Sequence, residues 1–325
     1  MPDNFDTSYI HLFQHLCFIF AQLNNILLLL IIRLKACAKF GSYRYIMIIF
    51  ASYSLVYAWV EIATLPVIHL KVPAVIVMMD SGLKHYIGLG NFFVSLYCGS
   101  FGLCISLLAA QFVYRYLVVC KPEYSRVIEG YKCISVLLPC LLVFGIWFGL
   151  VYFGMENTVE KQRFLMKDIQ EIYGINVSNI GAISVKYWDT DKSGKIHWNM
   201  DSLLTAAGCD IIIVICVTII LYCGISIYQN LKKKIYMTSV NAADFQRQLF
   251  TTLTFQTLLP FVLMYMTVGF VISAPFLSLE IGKFANCAAV SVAIYPFLEP
   301  CVAMICIRDF RRVLMCKMSG FGAKH

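Results

Sequence analysis

The sequence predicts an all-α membrane protein, a seven-transmembrane helix bundle with its N-terminus outside. Three observations carry that prediction. Of 325 residues, 60% are hydrophobic and 14% charged, with a mean hydropathy of +0.76, whereas soluble domains carry about 25% charged residues. Seven stretches are long and apolar enough to cross a hydrocarbon core of ~30 Å, which takes about 20 helical residues. The basic residues are also shared unequally between the segments that join them. Such a composition argues against a cytosolic enzyme or a disordered regulator. The 14 cysteines fall mostly inside apolar runs, with no Cys-x-x-Cys pair and no clustered histidines, so neither a secreted disulfide framework nor a zinc site is expected.

The spans cover approximately residues 9–32, 45–70, 88–119, 133–154, 203–228, 248–272 and 284–307. No signal-peptide pattern precedes span 1, so that span is expected to act as its own insertion signal. Span 2 carries Glu61 and Pro66. Span 3 sets Phe93, Tyr97, Phe101 and Ile105 on one face at i, i+4 spacing and ends in Gln111-Phe-Val-Tyr-Arg-Tyr116. Span 4 contains Pro139, and Asp210 stands near the outer mouth of span 5. Span 6 offers Pro260, Tyr265 and Met266, and span 7 offers Pro296, Glu299 and Pro300. The prolines are potential hinges, because each deletes a backbone hydrogen bond. After span 7, Phe310, Val313 and Leu314 share a helical face opposite arginines, which predicts a short amphipathic interfacial helix. Cys316 beside it is a palmitoylation candidate. Residues 1–318 form one transmembrane domain, followed by a short tail over 319–325.

Orientation follows from charge. The segments after spans 1, 3 and 5, together with the tail, hold 17 Lys/Arg and 4 Asp/Glu, and the opposite side holds 9 and 11. The first set is therefore cytoplasmic. Asn176-Val177-Ser178 is a glycosylation sequon in the long loop between spans 4 and 5, which this topology places outside. In the same loop, Ala182–Trp188 and Lys195–Trp198 flank Asp189–Gly194 and read as a β-hairpin. The turn resembles the start of an EF-hand, but Met200 stands where the bidentate Glu belongs, and the hairpin is preferred to calcium binding.

Three acids lie within or at the ends of spans, where an ionisable group is expensive and points to function. Glu61 sits in the outer half, Glu299 in the inner half and Asp210 at the mouth. Glu61 and Glu299 are candidate switching residues together with Pro260, Pro296 and Pro300, although protonated packing residues fit equally. The short outer N-terminus leaves a cavity between the outer helix halves as the expected binding site. Phe93, Tyr97, Phe101, Ile105, Asp210, Tyr265 and Met266 are its candidate lining, with Thr205 near the mouth. Apart from Arg115 at the cytoplasmic end of span 3, no Lys or Arg lies within the spans, which favours a small neutral ligand over an anion. No cofactor, metal or nucleic-acid partner is expected.

The local strings go further. Phe40-Gly-Ser-Tyr-Arg-Tyr45, Phe112-Val-Tyr-Arg-Tyr116 running to Cys120-Lys-Pro122, Gln248-Leu-Phe250 with Gln256-Thr257 and Pro260, and Tyr295-Pro296 with Glu299-Pro300 and Ile307-Arg-Asp-Phe-Arg-Arg312 form a series. This series resembles the nematode Str-type seven-transmembrane chemoreceptors, G-protein-coupled receptors that include the diacetyl odorant receptor. The resemblance covers residues 38–314. It implies a chemosensory, olfactory receptor in the plasma membrane of a sensory cilium, with a small-molecule ligand outside and a heterotrimeric G protein inside. Tyr114-Arg115-Tyr116 would stand for the Asp-Arg-Tyr motif of rhodopsin-like receptors, with the acid replaced. The coupling groove would be lined by Arg115, Tyr116, Lys121, Lys232, Lys233, Lys234, Arg247 and Arg308. The loop between spans 4 and 5 has no cysteine, so the disulfide that such receptors make from span 3 could pair only Cys98 with Cys209. A secondary transporter or a ligand-gated channel is the alternative, but the sequence has no internal repeat and no pore-like polar face.

Overall fold

A computed structural model of the chain describes residues 6–35, 41–125, 130–234 and 240–313. Among the described residues, seven helices are long and apolar enough to cross a membrane. Span 1 is Ser8–Lys35, span 2 Tyr43–Thr64, span 3 Ile87–Cys120, and span 4 Leu138–Gly154 after a 3-10 stretch, Gly130–Leu137. Span 5 is Met200–Lys234. Span 6 runs from Val240–Pro260 through a π-helical turn, Phe261–Met266, into Thr267–Ser273, and span 7 is Asn286–Cys306.

Span 3 is the axis, packed against spans 2, 4 and 5 and buried along most of its length. Small residues permit the close approach. A Cβ on Gly102 would lie 2.5 Å from the Trp147 ring, so only glycine lets that indole lie against the helix. Spans 1, 2 and 7 form the other side of the bundle. Its core includes Leu28, Ile32, Ile46 and Met304, closed from below by Phe310.

Several sequence expectations are corrected. Span 2 ends at Thr64 and not near residue 70, because Leu65 adopts a left-handed conformation with φ 44° and a residue before proline is pushed out of the α region. Pro66 thus opens a strand and bends no helix. Pro139 lies in the first turn of the α-helical part of span 4, where proline is tolerated, so it is no hinge either. Beyond Pro66 the chain forms β1 (Pro66–Lys71) and β2 (Ala74–Met79), joined to β3 (Ala182–Lys186) in an antiparallel sheet ordered β1-β2-β3. The register runs Pro66↔Met79 to Lys71↔Ala74, and Ala74↔Lys186 to Met78↔Ala182. The expected hairpin exists in shorter form, with β4 (Trp188–Thr190) pairing β5 (Ile196–Trp198). Residues 182–186 belong to the larger sheet instead.

That sheet is a plate buried on both faces. Val67, Ala74, Ile76, Met78 and Ala182 pack outward against an amphipathic loop helix, Val159–Tyr173, through Leu165, Ile169 and Tyr173. The alternate residues face the bundle, with Ile68, Leu70 and Val75 meeting spans 6 and 7 and Met79 and Ile183 joining the main core. The period of two puts successive side chains on opposite faces, so one sheet serves both cores.

Candidate functional site

Beneath the sheet lies a cavity of about 190 Å3. Its walls are Tyr97 and Phe101 from span 3, Trp147 and Val151 from span 4, Cys209, Asp210 and Ile213 from span 5, Tyr265 from span 6 and Val292 from span 7. The roof is Ile68, Val75, Val77, Ile183 and Val185. The π-helical turn after Pro260 brings Tyr265 inward. Its ring meets Phe101 edge-on at 4.6 Å and its hydroxyl donates to the Phe101 carbonyl at 3.2 Å. Behind the wall, Tyr57 stacks on Tyr97 at 5.9 Å.

Of the residues expected in this site, Tyr97, Phe101, Asp210 and Tyr265 line it. Phe93, Ile105 and Met266 do not. Phe93 is half-buried above it against neighbouring helices, and Ile105 is buried in the core. Met266 is 57% exposed on the lipid side, since helical neighbours at i, i+1 do not share a face. Thr205 instead donates to the Asp201 carbonyl at 2.8 Å. Ile183 and Val185 come from the long loop read as a hairpin, but the part of the roof made by β1 and β2 was not expected, because strands buried on both faces read as continuous apolar runs.

Cys98 and Cys209 both line the cavity as free thiols, so the disulfide pairing is not formed. The lid is held to span 3 by backbone contact. A Cβ on Gly181 would fall 2.4 Å from the Gly90 Cα, and one on Gly90 would fall 2.7 Å from the Gly181 Cα. Two hydrogen bonds complete the joint, from Met79 N to Gly181 O at 2.9 Å and from Ala182 N to Asn91 Oδ1 at 2.9 Å.

At the outer edge of the lid, Asn286 from span 7 accepts from Ile68 N at 2.8 Å and donates to the Tyr173 hydroxyl at 3.0 Å. His69 is fully buried beside it, its ring edge-on to Tyr173 at 5.5 Å. Its Nε2 is 3.9 Å from Asp168, whose carboxylate pairs with Lys71 at 2.6 Å. Burial pulls the His69 pKa below the ordinary imidazole value and Asp168 opposes it only in part. The same burial pushes the Tyr173 phenol up to about 12.

On the cytoplasmic side, Arg115 is buried, not at a water-facing rim. Its guanidinium lies 4.6 Å from the Tyr43 ring centre and donates to Gln246 Oε1 at 3.2 Å. Tyr43 in turn stacks on Tyr114 at 6.0 Å. Spans 2, 3 and 6 are thus tied together through one arginine. Lys121, Arg247 and Arg308 are exposed around it, and Tyr116 packs against Tyr222 at 5.9 Å.

The chain matches the family described as serpentine type 7TM GPCR chemoreceptor Str over residues 10–315. It belongs to the Str chemoreceptor family. Relatives include "Serpentine receptor class r-10" of Caenorhabditis elegans, 26% identical over 300 residues, 91% of this chain and 87% of the relative. The protein of the same name from Caenorhabditis briggsae is 26% identical over 294 residues, 89% and 84% of the two chains. "G-protein coupled receptor str-33" of Caenorhabditis elegans is 26% identical over 277 residues, 84% and 80%. These relatives are named receptors and not enzymes, transporters or channels.

In this Str receptor the candidate switching residues Pro296, Glu299 and Pro300 of span 7 sit where that helix meets spans 1 and 6. Glu299 is 1% exposed and pairs through Oε1 with Gln256 of span 6. The asparagines at its depth bind backbone. Asn25 donates to Pro296 O at 2.9 Å and Asn24 to Phe297 O at 3.2 Å. Asn25 thereby supplies the donor that Pro300, lacking an N–H, denies to the carbonyl four residues earlier. At the π-helical segment of span 6, the Ser291 hydroxyl donates to Leu263 O at 2.7 Å. Glu61 is also buried, and its Oε1 has no hydrogen-bond partner among the described residues. Asn176 is exposed on the outer loop, its side chain accepting from Ser178 N at 3.0 Å. Cys316 and Leu314 lie outside the described residues, whereas Phe310 is fully buried under span 7.

Proposed function

We propose that this Str receptor binds one small, neutral, mostly apolar odorant or metabolite in the cavity under the lid and activates a heterotrimeric G protein at its cytoplasmic face. The observation that carries the reading is the cavity itself. At about 190 Å3 it is close in size to the roughly 150 Å3 apolar cavity that takes up benzene. Its lining is mostly aromatic and aliphatic, with a few residues that carry polar groups, Tyr97, Tyr187, Tyr265, Asp210 and Ser273, the usual pattern of a small-molecule site. Any carboxylate ligand would meet Asp210 with no cation in the wall to offset it.

Activation then requires the ligand to bind one arrangement of the bundle more tightly than the other. Tyr265 belongs to the π-helical segment of span 6, and the cytoplasmic part of the same helix carries Gln246, the hydrogen-bond partner of Arg115. Movement of span 6 about Pro260 would release Arg115 and uncover a groove rimmed by Tyr116, Lys121, Arg247 and Arg308, with Lys232, Lys233 and Lys234 alongside. Hinges at Pro296 and Pro300 and the Glu299–Gln256 pair link that movement to span 7. The plasma membrane, in a sensory cilium, is the setting this function implies, with Asn176 glycosylated outside and Cys316 acylated inside.

The test is a second-messenger assay in a heterologous cell challenged with neutral volatiles and with carboxylic acids of matched size. Neutral compounds should evoke a response that uncoupling of the G protein abolishes. Tyr97→Ala and Phe101→Ala should shift potency while surface expression persists. A response confined to acids would refute the ligand class.

A further inference from the structure

We propose that ligand reaches the cavity sideways, from the outer membrane interface, through a mouth between spans 5 and 6 whose lips are Asp210, Gly269 and Ser273. The inference rests on the reading of the cavity as the ligand site, and it concerns the route and the selection made along it.

The direct path from outside water is roofed. Three hydrogen-bonded strands cover the cavity, the loop helix covers the strands, and the Tyr187 hydroxyl ties the end of the lid to span 6 by donating to Ile272 O at 3.3 Å. Among the residues lining the cavity, Asp210, Gly269 and Ser273 are exposed, and the others are buried or half-buried. All three stand on spans 5 and 6. Span 5 packs on spans 3 and 4, while Thr267–Ser273 packs on span 7, and these two outer segments are at most weakly packed against one another. A Cβ placed on Gly269 meets nothing within 4 Å, so the opening at this lip is empty space.

The height of the mouth decides what it faces. Asp210 lies about 33 Å along span 5 from Lys232, and Gly269 about 33 Å along span 6 from Arg247, at 1.5 Å per residue. With a hydrocarbon core of ~30 Å and both basic residues at the inner interface, the lips stand at the outer headgroup level. Their neighbours are apolar and outward-facing, with Ile211 59% and Phe270 51% exposed. The mouth therefore opens toward lipid at the point where amphiphilic and apolar solutes collect. Two filters act in series. Partitioning favours apolar molecules about fourfold per buried methylene, and the Asp210 carboxylate disfavours anions.

The cavity thiols test the route without knowledge of the natural ligand. Full-length protein in phospholipid vesicles is treated with propyl methanethiosulfonate, which is neutral, or with its trimethylammonium-ethyl analogue, which is permanently charged. Peptide mass mapping gives the modification rate of each cysteine, divided by the rate of the same reagent with a small thiol in water. Cys98 and Cys209 should react about tenfold faster with the neutral reagent on this normalised scale, a factor set by its partitioning. Gly269→Trp should slow the neutral reagent at both thiols by a similar factor and leave Cys287, exposed on span 7, unchanged. Gly269→Leu, a smaller obstruction, should slow it less and replaces the Trp variant should that one not be recovered folded. Equal normalised rates for the two reagents would overturn the lateral route, as would a neutral rate that neither folded Gly269 variant changes. Failure of the ligand-site reading shows itself elsewhere, as signalling indifferent to Tyr97→Ala, and leaves the labelling result standing.

Discussion

At the cytoplasmic end of the bundle the buried guanidinium of Arg115 ties span 3 to Tyr43 of span 2 and to Gln246 of span 6. The resemblance puts it in an open coupling groove, but the fold buries it against Tyr43 and joins it to Gln246. Neither partner is legible from local spacing, because they come from spans 2 and 6. Gln246→Leu is expected to raise basal signalling by removing the tie to span 6, and Arg115→Ala to abolish evoked signalling, both read as second messenger per receptor at the cell surface. Glu299→Gln keeps the shape and the contact with Gln256, and should alter basal or evoked signalling without loss of surface protein. His69 carries a separate prediction. Its folded pKa lies below the unfolded value of about 6.5, so the unfolded chain takes up the proton first and stability falls as pH drops below that value. His69→Gln should flatten this acid dependence in thermal unfolding between about pH 7 and pH 5.

The lid is the element that spacing rules missed. Residues 66–79 continue the apolar character of span 2 without the alternation that marks a half-buried strand, since both strand faces find apolar partners. Two signals were nonetheless present. Pro66 restricts its predecessor, and the β-branched residues Val67, Ile68, Val72, Val75, Ile76 and Val77 favour strand. The loop helix escaped for a simpler reason, because its apolar stripe of Leu165, Ile169 and Tyr173 is brief and flanked by charge. The Gly90–Gly181 contact could not be inferred, as it depends on how two distant segments meet. Its consequence is testable. Gly181→Val inserts a branched side chain against backbone that cannot yield, an overpacking worth about 1–3 kcal/mol, and should lower the melting temperature and surface expression of the receptor. Substituting Cys98 or Cys209 by Ser should leave the melting temperature nearly unchanged, as these are free thiols.

For the whole molecule, the count of spans, their orientation and the family resemblance were all legible from hydropathy, charge and short motifs, because lipid imposes helices on any chain that crosses it. The cavity was legible only as a location. Four of its expected residues line it, and the roof above the cavity is built by a sheet that the spans do not contain. Ala288, buried in the cavity wall, offers a test at this scale. Ala288→Phe should fill part of the space and depress the response to every ligand, read as a dose–response curve at constant surface expression.

The sheet also has a history during synthesis. The β1–β2 hairpin is delivered across the membrane with span 2, but its partner β3 follows only about 100 residues later, after two more spans have been inserted. At about 5–20 residues per second, the open edge of β2 waits roughly 5–20 seconds. An apolar strand edge left unpaired is a template for the wrong partner. The nascent receptor therefore has a defined interval in which a lumenal chaperone has something to hold, and closure of the lid marks its end.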